Sequence, residues 1–388
     1  ASAGDGRDQR WARASLECCP PNLVRFMASM PGLIYAQGPG EEIFVNLYVS
    51  SQTSFSMGDA GLTLTVESEM PWGGGSKILV AAEEEVEGTI KLRIPGWARN
   101  RPAPSALYRY RREMERAPTL LVNGSPMSAV PDSDGYVTLT RGWRDGDRIE
   151  LDLPMAIRRV GADERVRSTR RRVAVERGPV VFCAEWPDVS DGKILTARLD
   201  ESLELTPSMD SDLFGGVMVL QGRVGTVTDP GAPARSLRMI PYYLWANRGA
   251  GEMAVWLSEE DYEVGDVGPA GGLVFYKNPN FGRDGWRYLE AAPFDQSAGA
   301  RWGCFRREVP GARGTAIGTG RQNPADILSA CQDPGTAAYL CARLSLNGVE
   351  GWFLPSTEEL AEMYRALRAP GDIDFGDTGV KDNFTYWA

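Results

Sequence analysis

Two adjacent thiols, Cys18 and Cys19, stand in the run Leu16-Glu17-Cys18-Cys19-Pro20-Pro21-Asn22. Thiolates bind soft metals and attack electrophilic carbon. Neighbouring cysteines rarely bridge each other, because the ring they close is strained. A metal or a free thiolate is therefore the stronger reading of the pair. The chain contains no histidine. That excludes every site built on its own imidazole, including Ser-His-Asp triads, Cys-His pairs and HExxH zinc motifs. Chemistry carried here rests on sulfur, on carboxylate, or on residues this chain lacks.

The element that must position the thiols follows them. Pro20 and Pro21 suit a helix entry. Leu23, Phe26, Met27 and Met30 recur at the spacing of one helix face, and Pro31-Gly32 ends the run. The spacing predicts one helix over 20–31, with the thiols at its N-terminus. Twelve residues with one apolar face do not fold alone, so the helix is expected to pack on helices that precede Ala1.

From Glu41 the period changes from helical to alternating. Ile43 to Val49 is β-rich, and Leu62, Leu64 and Val66 alternate with Thr and Glu. Asn123-Gly124 and Asp145-Gly146 are hairpin signals between such runs. Short strands at this spacing predict a β-sandwich. Arg99 to Pro118 reads as a long surface loop, and residues 173–257 continue as β. Ser258-Glu259-Glu260-Asp261 reads as a linker. Beyond it, Ser356-Thr357-Glu358-Glu359 is a capping box, and Leu360, Met363, Tyr364 and Leu367 mark the apolar face of the helix it opens.

Composition bounds the partners. The 388 residues predict two to four domains, and 43% hydrophobic content is enough for packed cores. A net charge of −10 argues against nucleic acid. The basic runs Tyr108 to Arg112 and Arg170 to Arg172 read as solvated loops or strand edges. No apolar run reaches the ~18 residues of a transmembrane helix. Gly73 to Gly75 and Gly265 to Gly272 read as turns, not phosphate loops. Most of the 11 tryptophans read as core, although an exposed one on a β domain can stack on a sugar ring. Cys183 reads as an inert core thiol. Two of Cys304, Cys331 and Cys341 can pair in an oxidising compartment, and the pairing is not readable from sequence. The chain opens at Ala1 without an initiator Met and stops in the strand-like Tyr386-Trp387-Ala388, so truncation is expected at both ends.

The Cys18-Cys19-Pro20-Pro21-Asn22 run is followed by Val45-Asn46-Leu47-Tyr48, Arg93-Ile94-Pro95-Gly96-Trp97, Val122-Asn123-Gly124 and Gly135-Tyr136-Val137. Further on come Trp143-Arg144-Asp145-Gly146-Asp147, Glu176-Arg177-Gly178-Pro179, Pro241-Tyr242-Tyr243 and Trp245-Ala246-Asn247-Arg248. Over about residues 10–257 this order resembles glycoside hydrolase family 127, whose members include β-L-arabinofuranosidases. The resemblance implies a fold that is mainly β here: residues 1–40 as the C-terminal end of an (α/α)6 catalytic barrel, 41–160 as a middle β-sandwich domain, and 161–258 as a C-terminal β domain. It also implies Cys18 as the nucleophile of a retaining glycoside hydrolase. Zinc would be bound by Cys18 and Cys19 together with a third cysteine and a glutamate from earlier in the barrel. A separate upstream glutamate would serve as acid/base. Only Cys18 and Cys19 carry over, and Glu17 is not assigned as the zinc glutamate.

The chemistry of the pair agrees with that resemblance. Zinc takes four ligands, of which vicinal thiolates supply two. Zinc and a helix N-terminus both lower a thiol's pKa. Sulfur then replaces the carboxylate nucleophile of ordinary retaining glycosidases.

Residues 262–388 resemble a second family. Val264 to Gly272, Gly285-Trp286-Arg287-Tyr288-Leu289-Glu290, Trp302-Gly303-Cys304 and Gly351-Trp352-Phe353-Leu354-Pro355-Ser356 are similar to the domain of unknown function family 1566, an α+β C-type-lectin-like module of bacterial surface proteins. This implies glycan or surface binding by residues 262–388, beside the alternative of a spacer. The sequence therefore supports two functions: a zinc-thiolate hydrolase of β-L-arabinofuranosides or related sugars, inactive in this piece alone, or a non-catalytic carbohydrate- or surface-binding protein. The surface-type module favours an exported or cell-surface location, while the thiol pair favours reducing conditions.

Overall fold

The structure, a computed structural model, describes residues 19–304 and 307–368. It is mainly β. Two helices, α1 (Cys19–Ser29) and α2 (Pro31–Ile34), lead into the first strand. The predicted helix over 20–31 is thus divided at Met30, with Pro31 opening the short second helix.

The first β unit is a sandwich. One sheet orders Tyr35–Gly38, Glu42–Val45, Val86–Arg93 and Tyr136–Trp143. The other orders Ser51–Met57, Ala60–Ser68, Gly75–Ala82, Arg148–Asp152, Thr119–Val122 and Ser125–Met127. Pairing is antiparallel except between Glu42–Val45 and Val86–Arg93. Inward residues alternate as expected: Leu62, Leu64 and Val66 face Ile78 and Val80 of the neighbouring strand, with Ile43, Ile90, Leu92 and Trp143 across the core. At Asn123-Gly124 both residues take positive φ, 51° and 76°. That is the geometry a two-residue hairpin needs, and it is readily adopted by Asn and Gly.

The second β unit closes on itself. Arg172–Arg177 pairs with Val180–Glu185, then the path runs through Arg235–Pro241, Val217–Thr226, Ala197–Arg198 and Leu257–Ser258 back to Arg172–Arg177. Its apolar interior holds Val173, Val175, Phe182, Leu220, Val224 and Met239. Two outer strands extend it, Ile157–Ala162 and Tyr108–Tyr110. The segment Arg99 to Pro118, expected as a surface loop, therefore contributes a strand to this second sheet. Arg158 stands over the Tyr110 ring at 3.5 Å, and Tyr110 donates to Glu176 at 2.7 Å.

Residues 258–261 are a fixed junction. Glu259 pairs with Arg111 at 2.9 Å, and Arg287 donates to both carboxylate oxygens of Asp261 and to the carbonyl of Val227. Tyr262 is fully buried with Val227 and Val274, and meets Tyr288 edge-on at 5.7 Å. Arg172, from the run read as solvated, donates to the carbonyls of Val267 and Gly268. The chain after 261 is thereby clamped to the second β unit.

That last region combines a two-stranded sheet, Leu273–Lys277 with Tyr288–Ala291, and three further helices of seven residues or more, α3 (Gln322–Ala330), α4 (Ala337–Arg343) and α5 (Thr357–Arg368). Ser356 and Glu359 form the predicted capping box: Ser356 N–H donates to Glu359 Oε2 at 2.7 Å, and Glu359 N–H donates to Ser356 Oγ at 3.3 Å. Of the three late cysteines, Cys304 and Cys331 are bonded to each other and Cys341 is free.

Candidate functional site

Cys18, expected as nucleophile and metal ligand, lies outside the described residues, and Cys19 is described by its backbone alone, as helical within α1. Pro20 and Pro21 follow it in the same helix.

The helical segment is anchored at its C-terminal end. α2 hands the chain to Tyr35–Gly38, the edge strand of the four-stranded sheet. Ile34 is buried, and its carbonyl accepts from Asn46 N–H at 2.8 Å. Tyr35 hydroxyl meets Ser51 Oγ at 2.8 Å, and its ring meets Phe55 edge-on at 5.7 Å. By contrast the expected apolar face of α1 is open: Leu23 and Met27 are both 60% exposed, and Phe26 and Met30 are exposed too.

Among the described residues no group of three or more Cys, His, Asp or Glu is arranged to hold a metal. The thiol pair suits zinc chemically and supplies half of its usual shell. Carboxylates elsewhere have structural partners. Asp147 accepts from Arg144 N–H at 2.9 Å and from Asn123 Nδ2 at 2.7 Å, which clasps two hairpins together. Burial pushes the Glu176 carboxyl up, against the Tyr110 hydrogen bond and the Arg158 charge that lower it. Glu185 and Asp188 are buried against Arg248.

Several motif residues turn out to be structural. Tyr48 hydroxyl donates to the Arg93 carbonyl at 2.7 Å, Tyr136 hydroxyl to Asn46 Oδ1 at 2.6 Å, and Trp143 Nε1 to the Gly88 carbonyl at 3.1 Å. Arg177 Nη1 donates to the Trp72 carbonyl at 2.7 Å and so ties the two β units. Cys183 is fully buried, and desolvation first, then Glu185 and Asp188, push its thiol up to about 12. It is inert, as expected.

Glu290 was not singled out in sequence. Its carboxyl accepts from Ala270 N–H at 3.3 Å and Gly272 N–H at 3.0 Å. Burial pushes it up to about 7, against those two N–H groups and Arg172. The loop around it needs glycine: a Cβ on Gly268 would lie 2.3 Å from the carboxyl carbon. A mainly apolar cavity of about 660 Å³ opens beside it, lined by Phe294, Trp352, Phe353 and Met363 among others. The available sequence signal was the density of glycines from Gly265 to Gly272, which marks a backbone bent tightly around something.

Residues 42–155 match the family described as Beta-L-arabinofuranosidase, GH127 middle domain, and residues 157–258 match the Glycoside hydrolase family 127 C-terminal domain. The chain is 32% identical over 261 residues to a non-reducing end beta-L-arabinofuranosidase of Bifidobacterium longum subsp. longum, covering 62% of this chain and 36% of that protein. Among solved structures it is similar to a GH127 beta-arabinofuranosidase, with 34% identity and a TM-score of 0.58, over 63% of this chain and 38% of the other. It is also similar to a GH127 beta-L-arabinofuranosidase from Geobacillus stearothermophilus T6, with 32% identity and a TM-score of 0.56, over 66% and 39%. The chain spans just over a third of the length of these relatives.

Proposed function

We propose that this chain, whose residues 42–258 are the middle and C-terminal domains of glycoside hydrolase family 127, is part of a retaining glycoside hydrolase acting on β-L-arabinofuranosides or related sugars. The observation that carries the reading is the unbroken succession of both domains, in order, in a chain similar to proteins named beta-L-arabinofuranosidases. In sequence the thiol pair stands ahead of them, before a proline-led helical segment.

In this reading Cys18 thiolate attacks the anomeric carbon. The bond to the leaving oxygen breaks as the carbon–sulfur bond forms, and a proton donor from outside the described residues protonates that oxygen. Water then displaces the sulfur, so two inversions give net retention. Cys18 and Cys19 are two of four zinc ligands. Zinc, when bound, keeps the thiols deprotonated at neutral pH. The β-sandwich anchors the end of the helical segment through Ile34 and Tyr35.

Residues 262–368 serve as a C-type-lectin-like module that contacts glycans or a surface. The Cys304–Cys331 bond supports an oxidising, exported or cell-surface setting.

The test is hydrolysis of an aryl β-L-arabinofuranoside. The 388-residue chain alone is expected to be inactive, and the protein extended by upstream barrel sequence active. Cys18→Ser in the extended protein should abolish turnover. Unchanged turnover in that variant removes Cys18 as nucleophile, and hydrolysis by the 388-residue chain alone removes the fragment reading.

A further inference from the structure

Among the described residues, Trp186 is the one tryptophan with an exposed side chain, at 38%. It opens the 3-10 turn Trp186–Asp188 at the end of the strand Val180–Glu185. The turn is held from both ends by one guanidinium. Arg248 Nε donates to Glu185 Oε2 at 2.7 Å, and its Nη1 and Nη2 donate to Asp188 Oδ1 and Oδ2 at 2.8 and 2.6 Å. Asp188 Oδ2 also accepts from Glu185 N–H at 2.8 Å, and Trp186 N–H donates to the Glu252 carbonyl at 2.8 Å. Buried ion networks are costly to desolvate and add little to stability over apolar packing. This one fixes the backbone on either side of a single exposed indole.

The ring itself rests on glycine. A Cβ on Gly251 would lie 2.0 Å from Trp186 Cδ1, so the indole lies directly against bare backbone there, with Gly249 at van der Waals distance. Exposed residues close in sequence to the turn and to Gly249 and Gly251 are small or polar: Ser190, Asp191, Asn247 and Ala250. A protein partner of ordinary size needs about 800 Å² of contact with apolar anchors at its centre. One fixed indole among glycine, serine and asparagine fits a smaller ligand, with one apolar face and hydroxyl groups at its rim. A net charge of −10 disfavours an anionic polymer.

We infer that Trp186 is a stacking platform for a neutral sugar ring on the C-terminal β domain, separate from the thiol pair. A second ring is tied to the same carboxylate. Glu185 Oε1 accepts from Ala246 N–H at 2.9 Å, and the preceding Trp245 stacks on the exposed Tyr242 with centroids 6.1 Å apart. The choice of an arabinose-bearing glycan as ligand rests on the proposed function.

The experiment is affinity gel electrophoresis of the 388-residue chain through branched arabinan, arabinogalactan and dextran, with arabinose release followed in the same samples. Retardation by the two arabinose-bearing polymers is expected. Trp186→Ala should weaken it about tenfold, and Trp186→Phe should keep part of it, which separates lost stacking from lost folding. No retardation in any gel, or equal retardation of Trp186→Ala, overturns the platform. Equal retardation by dextran overturns its preference for arabinose. Retardation without arabinose release is the expected result for this chain and leaves the platform standing; arabinose release would overturn the fragment reading and not the platform.

Discussion

Arg248 grips Asp188 through two parallel hydrogen bonds, Nη1 to Oδ1 at 2.8 Å and Nη2 to Oδ2 at 2.6 Å, while its Nε takes Glu185. Both carboxylates are almost wholly buried. One guanidinium therefore contacts two acids of a single loop, with the planar fork that lysine cannot reproduce, and Arg238 adds a contact to Asp188 Oδ1 at 3.1 Å.

Arg248→Met should accordingly destabilise the second β unit by about 3 kcal/mol, because it leaves buried Glu185 without a cation and Asp188 with Arg238 alone, at 3.1 Å. Arg248→Lys should recover only part of the loss. Denaturant unfolding followed by circular dichroism measures both. A loss under about 1 kcal/mol for the methionine variant would show that this ion network adds little to stability.

The closure of the first sandwich was legible in the sequence, and the linkage between units was not. Leu62, Leu64 and Val66 announce their inward faces by alternation, and Asn123-Gly124 announces its own turn. Those signals are local. Tyr108–Tyr110 became a strand only because Ile157–Ala162 lies beside it. Arg111 and Arg172 became staples because Glu259 and the Val267 carbonyl face them across the fold. A basic run reads as solvated until its distant acceptors are known. The thiol pair is the same case: proximity and the proline-led helix are local, whereas further zinc ligands and a proton donor are not.

Glu290 makes a pH-dependent contribution of predictable sign. Its folded pKa of about 7 lies above the ordinary glutamate value of 4.5. Its stabilising contribution is thus fully present below pH 4.5 and is lost as pH rises through 7. Glu290→Gln cannot ionise, so relative to wild type it should gain stability between pH 5 and pH 8. At pH 5 the amide should be no better than the acid, since it can accept from only one of Ala270 and Gly272 N–H. Melting temperatures of both proteins across that range test the sign; a difference that is flat with pH rules out an ionising Glu290.

The Cys304–Cys331 bond closes a loop with a sequence separation of 27. Chain-entropy reasoning assigns such a cross-link about 3–4 kcal/mol. Replacing both cysteines by serine should lower the unfolding free energy of residues 262–368 by that amount, while the second β unit keeps its own transition. Limited proteolysis at rising urea separates the two regions. If both fall together, the junction built from Asp261, Arg287 and Tyr262 makes them one cooperative unit.

Thiol reactivity distinguishes the three kinds of cysteine in this chain. Cys183 is fully buried with its thiol pushed up to about 12, so it should not react with a disulfide reagent at pH 8 until the protein unfolds. Cys341 is half-buried, with burial also pushing its thiol up, and should react slowly. The fast-reacting thiols should be Cys18 and Cys19, if the pair stands at the helix N-terminus that the sequence predicts, where thiolate is favoured. Cys18→Ser and Cys19→Ser should each remove one fast equivalent. If zinc bridges the pair, added zinc should slow both in the native chain and a chelator should restore them. Fast reaction unaffected by zinc would leave the pair a nucleophile without its metal, and a slow reaction in the metal-free native chain would contradict thiolate character at this helix entry altogether.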